Sequence, residues 1–203
     1  MSRRGESTRE HILEKAEGLI MYKGYAGTSI DDVLGETGLT KGAFFYHFKN
    51  KNELAQALVE RFWKNDLNLF NGFSKRANEL SEDPLQNLLI FLKLFEEYIN
   101  ALEEPPPGCM FASYLYEQYH FNENIKKFIN QAFSEWKNMF RSRLRKIQEK
   151  YPSQNGANID ELSDMIMSLI EGGFILAKSY NDGNVISRQV AQFRNYLKLL
   201  FNN

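Results

Sequence analysis

Two short helical patterns that meet at one glycine constrain this chain more than any other feature. They lie within the stretch SIDDVLGETGLTKGAFFYHFKNK, residues 29–51. Ser29 offers a hydroxyl to the unpaired N–H groups at the start of the first helix, with Thr28 as the alternative cap. Gly38 supplies the left-handed backbone that ends this helix at little steric cost, and Thr40 caps the next one. The residues therefore predict two short helices joined by a tight turn.

The second helix of the pair has side chains that a purely structural helix does not require. It begins with Lys41-Gly42-Ala43, where nothing bulky prevents close approach, and continues into a block of aromatic residues. Between Leu39 and Lys51 there are three lysines and no carboxylate, so this segment carries a charge of +3. A helix–turn–helix presents the N-terminal residues of such a second helix to base edges and phosphates. The alternative is a helical hairpin whose aromatic side chains only fill a core.

The order of these residues resembles the DNA-binding region of TetR-type (TetR/AcrR) bacterial transcriptional regulators. The resemblance runs from Thr8 to Leu58 and includes TSIDDV and GLTKGAFFYHFKNKNEL. It implies that the DNA contacts fall on Thr28, Ser29, Lys41, Gly42, Phe45, Tyr46, His47 and Lys51. Phe45 stands where many members have tyrosine, so a phosphate-bonding hydroxyl is absent there. Its ring can still touch a thymine methyl group.

Composition limits how such a protein could bind DNA. The chain has 203 residues, a net charge of −1 and a pI near 6.3, so DNA binding must come from local charge instead of an overall basic surface.

The single cysteine of the chain, Cys109, excludes an intramolecular disulfide and fits a reducing cytoplasm. No apolar run approaches the roughly 18 residues of a membrane span. We therefore expect a cytoplasmic protein without a membrane partner.

The rest of the chain shows helical periodicity throughout, which predicts an all-α fold. A capping-box pattern predicts that the first helix begins at Ser7, after a polar arm of residues 1–6. Six further helices are expected at 53–73, 84–104, 109–120, 122–151, 158–181 and from 187 onward. Residues 1–51 are predicted to form a three-helix DNA-binding domain, and residues 52–203 a larger helical domain for ligand binding and dimerisation.

The last two predicted helices form an antiparallel hairpin with an apolar stripe on each helix. Packed against a second copy of the chain, they would complete an intermolecular four-helix bundle. Alternatively, the stripes cover only their own core. A homodimer is favoured because one helix–turn–helix makes few contacts with DNA, and the TetR-type resemblance implies the same interface.

Aromatic residues of the middle helices raise the question of a small-molecule effector. They are either plain core or the lining of a cavity, and the resemblance implies an inducer cavity among these helices. Such a cavity would favour a flat or apolar molecule. The candidate lining residues are Phe91, Phe95, Tyr98, Met110, Phe111, Tyr114, Trp136, Phe140 and Phe174.

Cys109 is a candidate sensor of oxidants or electrophiles. Gly108-Cys109-Met110 at a helix start resembles one subgroup of TetR-type repressors that answer such compounds. A thiol at a helix N-terminus ionises more readily, and Lys178 adds positive charge if the fold brings it close. The alternative is a small buried thiol that packs like alanine.

Enzymatic function is not predicted. His11, His47 and His120 are widely spaced, and the sequence has no metal-binding pattern, phosphate loop or nucleophile elbow. No cofactor or metal is expected. The sequence thus favours a homodimeric, ligand-responsive DNA-binding repressor, released by a small apolar or aromatic effector or by thiol modification. The alternative function is a helical adaptor that binds a protein partner without specific DNA binding.

Overall fold

The computed structural model describes residues 3–153 and 156–201, and every regular element in these ranges is helical. The prediction of an all-α fold is therefore confirmed. The helices are α1 (Arg3–Lys23), α2 (Ile30–Thr37), α3 (Lys41–His47), α4 (Lys51–Leu80), α5 (Pro84–Asn100), α6 (Met110–Tyr116), α7 (Glu123–Lys150), α8 (Ile159–Tyr180) and α9 (Asn184–Phe201). A short 3-10 turn, Gln118–His120, lies between α6 and α7.

The predicted caps around α2 and α3 are confirmed. The Ser29 hydroxyl accepts a hydrogen bond from the Asp32 N–H at 3.0 Å, and the Asp32 carboxylate accepts one from the Ser29 N–H at 2.7 Å. Gly38 has φ of 67°, the left-handed conformation that ends α2. Thr40 accepts from the Ala43 N–H at 3.2 Å and so starts α3. Local side-chain chemistry therefore determines this turn.

Several helix limits differ from prediction, and α5 and α6 end before their predicted limits, at Asn100 and Tyr116. The first helix begins at Arg3, so Ser7 lies inside α1, and most of the predicted arm is helical; Met1 and Ser2 lie outside the described residues. Helix α4 continues to Leu80, because residues 74–80 contain no glycine or proline to stop it. Helix α9 begins at Asn184, three residues before the predicted start.

The described chain divides into two compact units, each assembled from separate segments. The first unit comprises the chain up to Asn65 together with Cys109–Asn130. The second unit comprises Asp66–Gly108 and the chain from Gln131 onward. This division by packing differs from the predicted domain boundary between residues 51 and 52, which stays a prediction about function.

The core of the first unit holds the helix–turn–helix in place. Phe44 of α3 is fully buried and lies 5.8 Å from the ring of Phe48, which is also buried. On the surface of this unit, the guanidinium of Arg61 on α4 pairs with Glu10 and Glu17 of α1. The Arg61 pairs connect α1 with the first half of α4.

The core of the second unit is built mainly by α5, α8 and α9. Gly173 of α8 permits the close approach of α9, since a Cβ atom there would lie 3.2 Å from the Ile186 Cα. Buried Glu96 of α5 accepts hydrogen bonds from Arg194 of α9 at 3.0 and 3.2 Å. The pair connects two helices that otherwise pack through apolar side chains.

Candidate nucleic-acid interface

The aromatic block formed by α3 and its C-cap residue Phe48 is divided between the inside and the outside of the protein. Phe44 and Phe48 are buried, whereas Phe45 is 46% exposed and Tyr46 is 75% exposed. Positions 44 and 48 are four residues apart and share one face, which the core covers. The alternative that these aromatics only fill a core therefore holds for Phe44 and Phe48, but not for their two neighbours.

A groove of about 450 Å³ lies beside α3. Its walls come from the loop between α1 and α2, the first turn of α2, α3 and the start of α4. The residues that line it are Ala26, Thr28, Ser29, Ile30, Asp31, Lys41, Phe45 and Lys51. Five residues predicted to contact DNA are thus brought to one place: Thr28, Ser29, Lys41, Phe45 and Lys51. Gly42 and Tyr46 are also exposed on α3, outside the groove lining.

Lys41 carries a counter-ion that the sequence did not suggest. Its ammonium lies 3.0 Å from the carboxylate of Asp31 on α2, and both side chains are mostly exposed. Exposed pairs of this kind contribute about 0–1 kcal/mol. A phosphate can therefore compete with Asp31 for the lysine at small cost.

Thr28 is placed differently from the other predicted contacts. It is 1% exposed, and its hydroxyl donates a hydrogen bond to the Gly24 carbonyl at 2.8 Å. The side chain therefore holds the loop before α2, although Thr28 is among the residues that line the groove. A contact between Thr28 and DNA would involve its backbone, and its membership of the interface stays a prediction.

Lys51, in the first turn of α4, is held against Tyr25. Its ammonium donates to the Tyr25 carbonyl and lies 4.0 Å from the centre of the Tyr25 ring. Burial lowers the pKa of Lys51, while the charges of Glu117 and Asp32 act in the opposite direction. The cation is thus partly desolvated at the edge of the groove, where it would attract a phosphate.

His47 is half-buried at the end of α3. Its Nδ1 atom is buried without a hydrogen-bond partner in this structure, and its ring lies 4.9 Å from that of Tyr46. The sequence-based assignment of His47 to the interface stays a prediction.

Comparison with known proteins identifies the family. Residues 12–58 match the family described as bacterial regulatory proteins, tetR family, and residues 84–192 match the C-terminal domain described as transcriptional regulator LmrA/YxaF-like. The second match alone covers more than half of the chain. The chain belongs to the TetR family.

Individual TetR-family proteins support this assignment along most of their length. An uncharacterised HTH-type transcriptional regulator from the lacX 3' region of Lactococcus lactis is 31% identical over 187 residues, covering 89% of this chain and 88% of the relative. The uncharacterised regulator YxaF of Bacillus subtilis is 29% identical, with 90% of each chain covered. The crystal structure of a TetR regulator from Chloroflexus aurantiacus has the same fold, with a TM-score of 0.81, 23% identity and 98% of both chains covered.

As a TetR-family member, the protein is a DNA-binding transcriptional regulator and not an enzyme. This finding disfavours the alternative of a helical adaptor without specific DNA binding. In the ranges that the structure describes, no helix combines the length and apolarity needed to cross a membrane.

The predicted effector residues of this TetR-family chain fall into both compact units. In the second unit, Phe91, Phe95 and Phe140 lie in the core and Phe174 packs against it. Trp136 is buried, Tyr98 is partly exposed, and Lys178 lies at the surface. In the first unit, Cys109, Met110, Phe111 and Tyr114 are buried. Their assignment to one ligand site stays a prediction.

Sequence reasoning missed the polar contact that holds the loop before α2. The Glu117 carboxylate accepts hydrogen bonds from the N–H groups of Tyr25 at 2.8 Å and Ala26 at 2.6 Å. Burial and the charge of Glu117 raise the pKa of the Tyr25 phenol to about 12. A separation of 92 residues between Tyr25 and Glu117 leaves no local pattern from which to find this contact.

Proposed function

We propose that this protein is a homodimeric repressor that binds a DNA operator through α2 and α3 and leaves it when a small apolar or aromatic effector binds. The observation that carries the DNA contact is the exposure of Phe45 and Tyr46 on a helix whose remaining phenylalanine, Phe44, is buried. Repression and ligand binding are typical of the family.

The side chains around α3 suggest separate roles at the operator. Tyr46 and His47 would approach base edges, and Phe45 would contact a thymine methyl. Ser29, Lys41 and Lys51 would bind phosphates and position the helix. Gly42 would allow the first turn of α3 to come close to the DNA backbone, since it carries no side chain.

Helices α8 and α9 offer an apolar surface for the second copy. Ile175 is 60% exposed on α8, and Leu199 is exposed on α9. A Cβ atom added at Gly172 would meet no neighbouring side chain or helix within 4 Å, so a partner helix could approach there closely. A two-fold dimer would read two half-sites, which is the usual way in which helix–turn–helix regulators gain specificity.

Release by an effector is supported better than release by thiol modification. Cys109 is only 6% exposed at the start of α6, so an electrophile has little access to its sulfur in this conformation. The aromatic side chains in the core of the second unit would suit a flat apolar molecule where they line a cavity. Binding would have to favour a state in which the two α3 helices no longer match the groove spacing.

The test is a gel shift against genomic fragments, including the region beside the protein's own gene. We expect one specific complex that weakens steeply with salt, because phosphate contacts release counterions. Lys51→Ala should weaken binding to every fragment. A protein that is monomeric and binds no duplex at low ionic strength would contradict the proposal.

The release mechanism is tested separately with Cys109→Ser. We expect the variant to bind the operator and to respond to the effector as the wild type does. If Cys109→Ser abolished a release caused by an oxidant or an electrophile, thiol modification would replace effector binding as the trigger.

A further inference from the structure

We infer that Glu117 is a positioning residue for DNA binding: its carboxylate holds the loop between α1 and α2 and, through that loop, places Lys51 at the groove. The inference rests on the proposed role of the groove as the phosphate-binding face. It adds a residue that lies far from the helix–turn–helix in sequence.

The carboxylate makes a two-point contact with the loop backbone. One oxygen accepts from the Tyr25 N–H at 2.8 Å and the other from the Ala26 N–H at 2.6 Å. Hydrogen bonds to an ionised acceptor are about twice as strong as neutral ones, and two together define orientation as well as distance. Glu117 therefore determines the path of the backbone four residues before α2 begins.

Gly24 leaves room for this carboxylate. It has φ of 82°, and a Cβ atom at this position would lie 2.7 Å from the Glu117 Oε1 atom. A residue with a side chain would displace the carboxylate from the loop. Gly24 is therefore needed for two reasons: its backbone adopts the turn after α1, and its lack of a side chain lets the Glu117 carboxylate reach the loop.

The same loop holds Lys51 from its other side. The Tyr25 carbonyl accepts from the Lys51 ammonium, and the Tyr25 ring lies 4.0 Å from it. The ring is itself fixed by aromatic contacts, 4.4 Å from Phe121 and 5.8 Å from Tyr114 between centroids. Tyr25 therefore connects the two side chains directly: its N–H is bound by Glu117, and its carbonyl and ring hold Lys51.

Glu117 gives the C-terminal domain a direct contact with the DNA-binding segment. It lies within residues 84–192, which match the C-terminal family domain, and within Cys109–Asn130, which packs in the first unit. A shift of α6 would withdraw the acceptor from both amides at once. The loop and Lys51 would then lose their position relative to α3.

Glu117→Gln tests this role with little change in shape. The amide keeps one acceptor oxygen but presents an NH₂ donor to the second backbone N–H, so one hydrogen bond is lost and two donors face each other. Glu123→Gln is the matched control, because Glu123 is an exposed residue of the same unit that pairs with Lys126. Both variants change the net charge by the same amount.

Three measurements decide the outcome. Hydrogen exchange of the Tyr25 and Ala26 amides should become faster in Glu117→Gln and stay unchanged in Glu123→Gln. Operator affinity of Glu117→Gln, measured at a temperature where circular dichroism shows full folding, should fall about tenfold. The slope of log operator affinity against log salt concentration should become smaller in Glu117→Gln, by the amount that about one phosphate contact contributes.

A double-mutant cycle with Lys51→Met separates positioning from general destabilisation. We expect Lys51→Met to cost less affinity in the Glu117→Gln background than in the wild type, because the lysine is already misplaced there. Additive effects with an unchanged salt slope would overturn the inference while leaving the proposed function intact. A wild-type protein that binds no DNA would instead contradict the proposed function, and the amide exchange would still report whether Glu117 holds the loop.

Discussion

The aromatic residues of α3 show how neighbouring residues take opposite roles. Phe44 and Phe48 point inward because positions four apart lie on the same side of a helical turn, whereas Phe45 and Tyr46 turn outward. The sequence identified the aromatic block as part of the DNA-binding segment. It did not distinguish anchoring rings from exposed ones, since this depends on how the core rotates α3.

Tyr46→Ala should change sequence preference as well as affinity. Tyr46 is largely exposed, so the variant should unfold at the same temperature as the wild type. If the ring contacts a base, operator affinity should fall by about 1–3 kcal/mol, with relaxed preference at one operator position. Fluorescence anisotropy with the operator and with single-base variants measures both effects.

Tyr22→Ala provides the control for this prediction. Tyr22 is also highly exposed, but it lies at the end of α1 and outside the groove lining. The Tyr22→Ala variant should bind the operator with the affinity and the base preference of the wild type. A Tyr46→Ala variant with unchanged affinity and unchanged preference would remove Tyr46 from the interface.

Among the elements, α5 begins with a cap that also connects it to α7. The Asp83 carboxylate accepts from the Gln86 N–H at 2.9 Å and from the Lys150 ammonium at 2.8 Å, and the Tyr151 hydroxyl donates to it as well. Asp83 and Pro84 were recognisable from the sequence as a helix start. The contact between Asp83 and Lys150 at the end of α7, 67 residues away, was not recognisable from the sequence.

Asp83→Asn should remove a pH-dependent part of the stability. Partial burial raises the pKa of the Asp83 carboxyl, but the hydrogen bonds from Gln86, Lys150 and Tyr151 outweigh it and lower the pKa to about 2. The stabilisation is therefore present above the ordinary pKa of about 3.9 and is lost as the pH falls towards 2. Because the site is partly solvated, we expect a loss of at most about 1 kcal/mol at neutral pH.

Urea unfolding at several pH values checks this prediction. Wild type and Asp83→Asn should differ at pH 6 and converge as the pH approaches 2. A difference that did not change over this range would show that the charge of Asp83 contributes nothing to stability.

Adjacent glycines in α8 should respond oppositely to the same substitution. Gly173→Ala places a methyl group 3.2 Å from the backbone of α9 and should destabilise the protein by about 1–3 kcal/mol. Within one chain Gly172 has open space around it, so in a variant that does not dimerise Gly172→Ala should be neutral or stabilise the helix by up to about 1 kcal/mol. Unfolding curves at one fixed protein concentration compare the two, and equal effects would contradict the described packing of α8 on α9.

For the whole molecule, the described chain packs into two units that are not continuous in sequence. Segment Cys109–Asn130 packs with the helix–turn–helix although it follows α5 along the chain. Both α4 and α7 begin in the first unit and end in the second. A sequence read in order suggests a boundary after the DNA-binding motif, because periodicity and capping carry no information on which distant segments meet.

Ile175→Glu should separate the proposed homodimer. The side chain is exposed on α8, so the charge is tolerated in a single chain but would be desolvated in an apolar interface. We expect a folded monomer by sedimentation, with operator binding reduced to that of one half-site. Leu80→Glu, at an exposed position on α4, should remain dimeric; a dimeric Ile175→Glu variant would place the interface elsewhere.

The sequence by itself determined the helical class, the caps of α2 and α3, the turn at Gly38 and the family, because these depend on residue types at short and regular spacing. Only the tertiary structure decided that Thr28 faces inward, that Lys51 is held by Tyr25 and that Glu117 holds the loop before α2. These arrangements depend on side chains that are distant in sequence and meet only when the helices pack. Local propensity can place a helix, but burial and hydrogen bonding across the fold determine which of its residues are available for function.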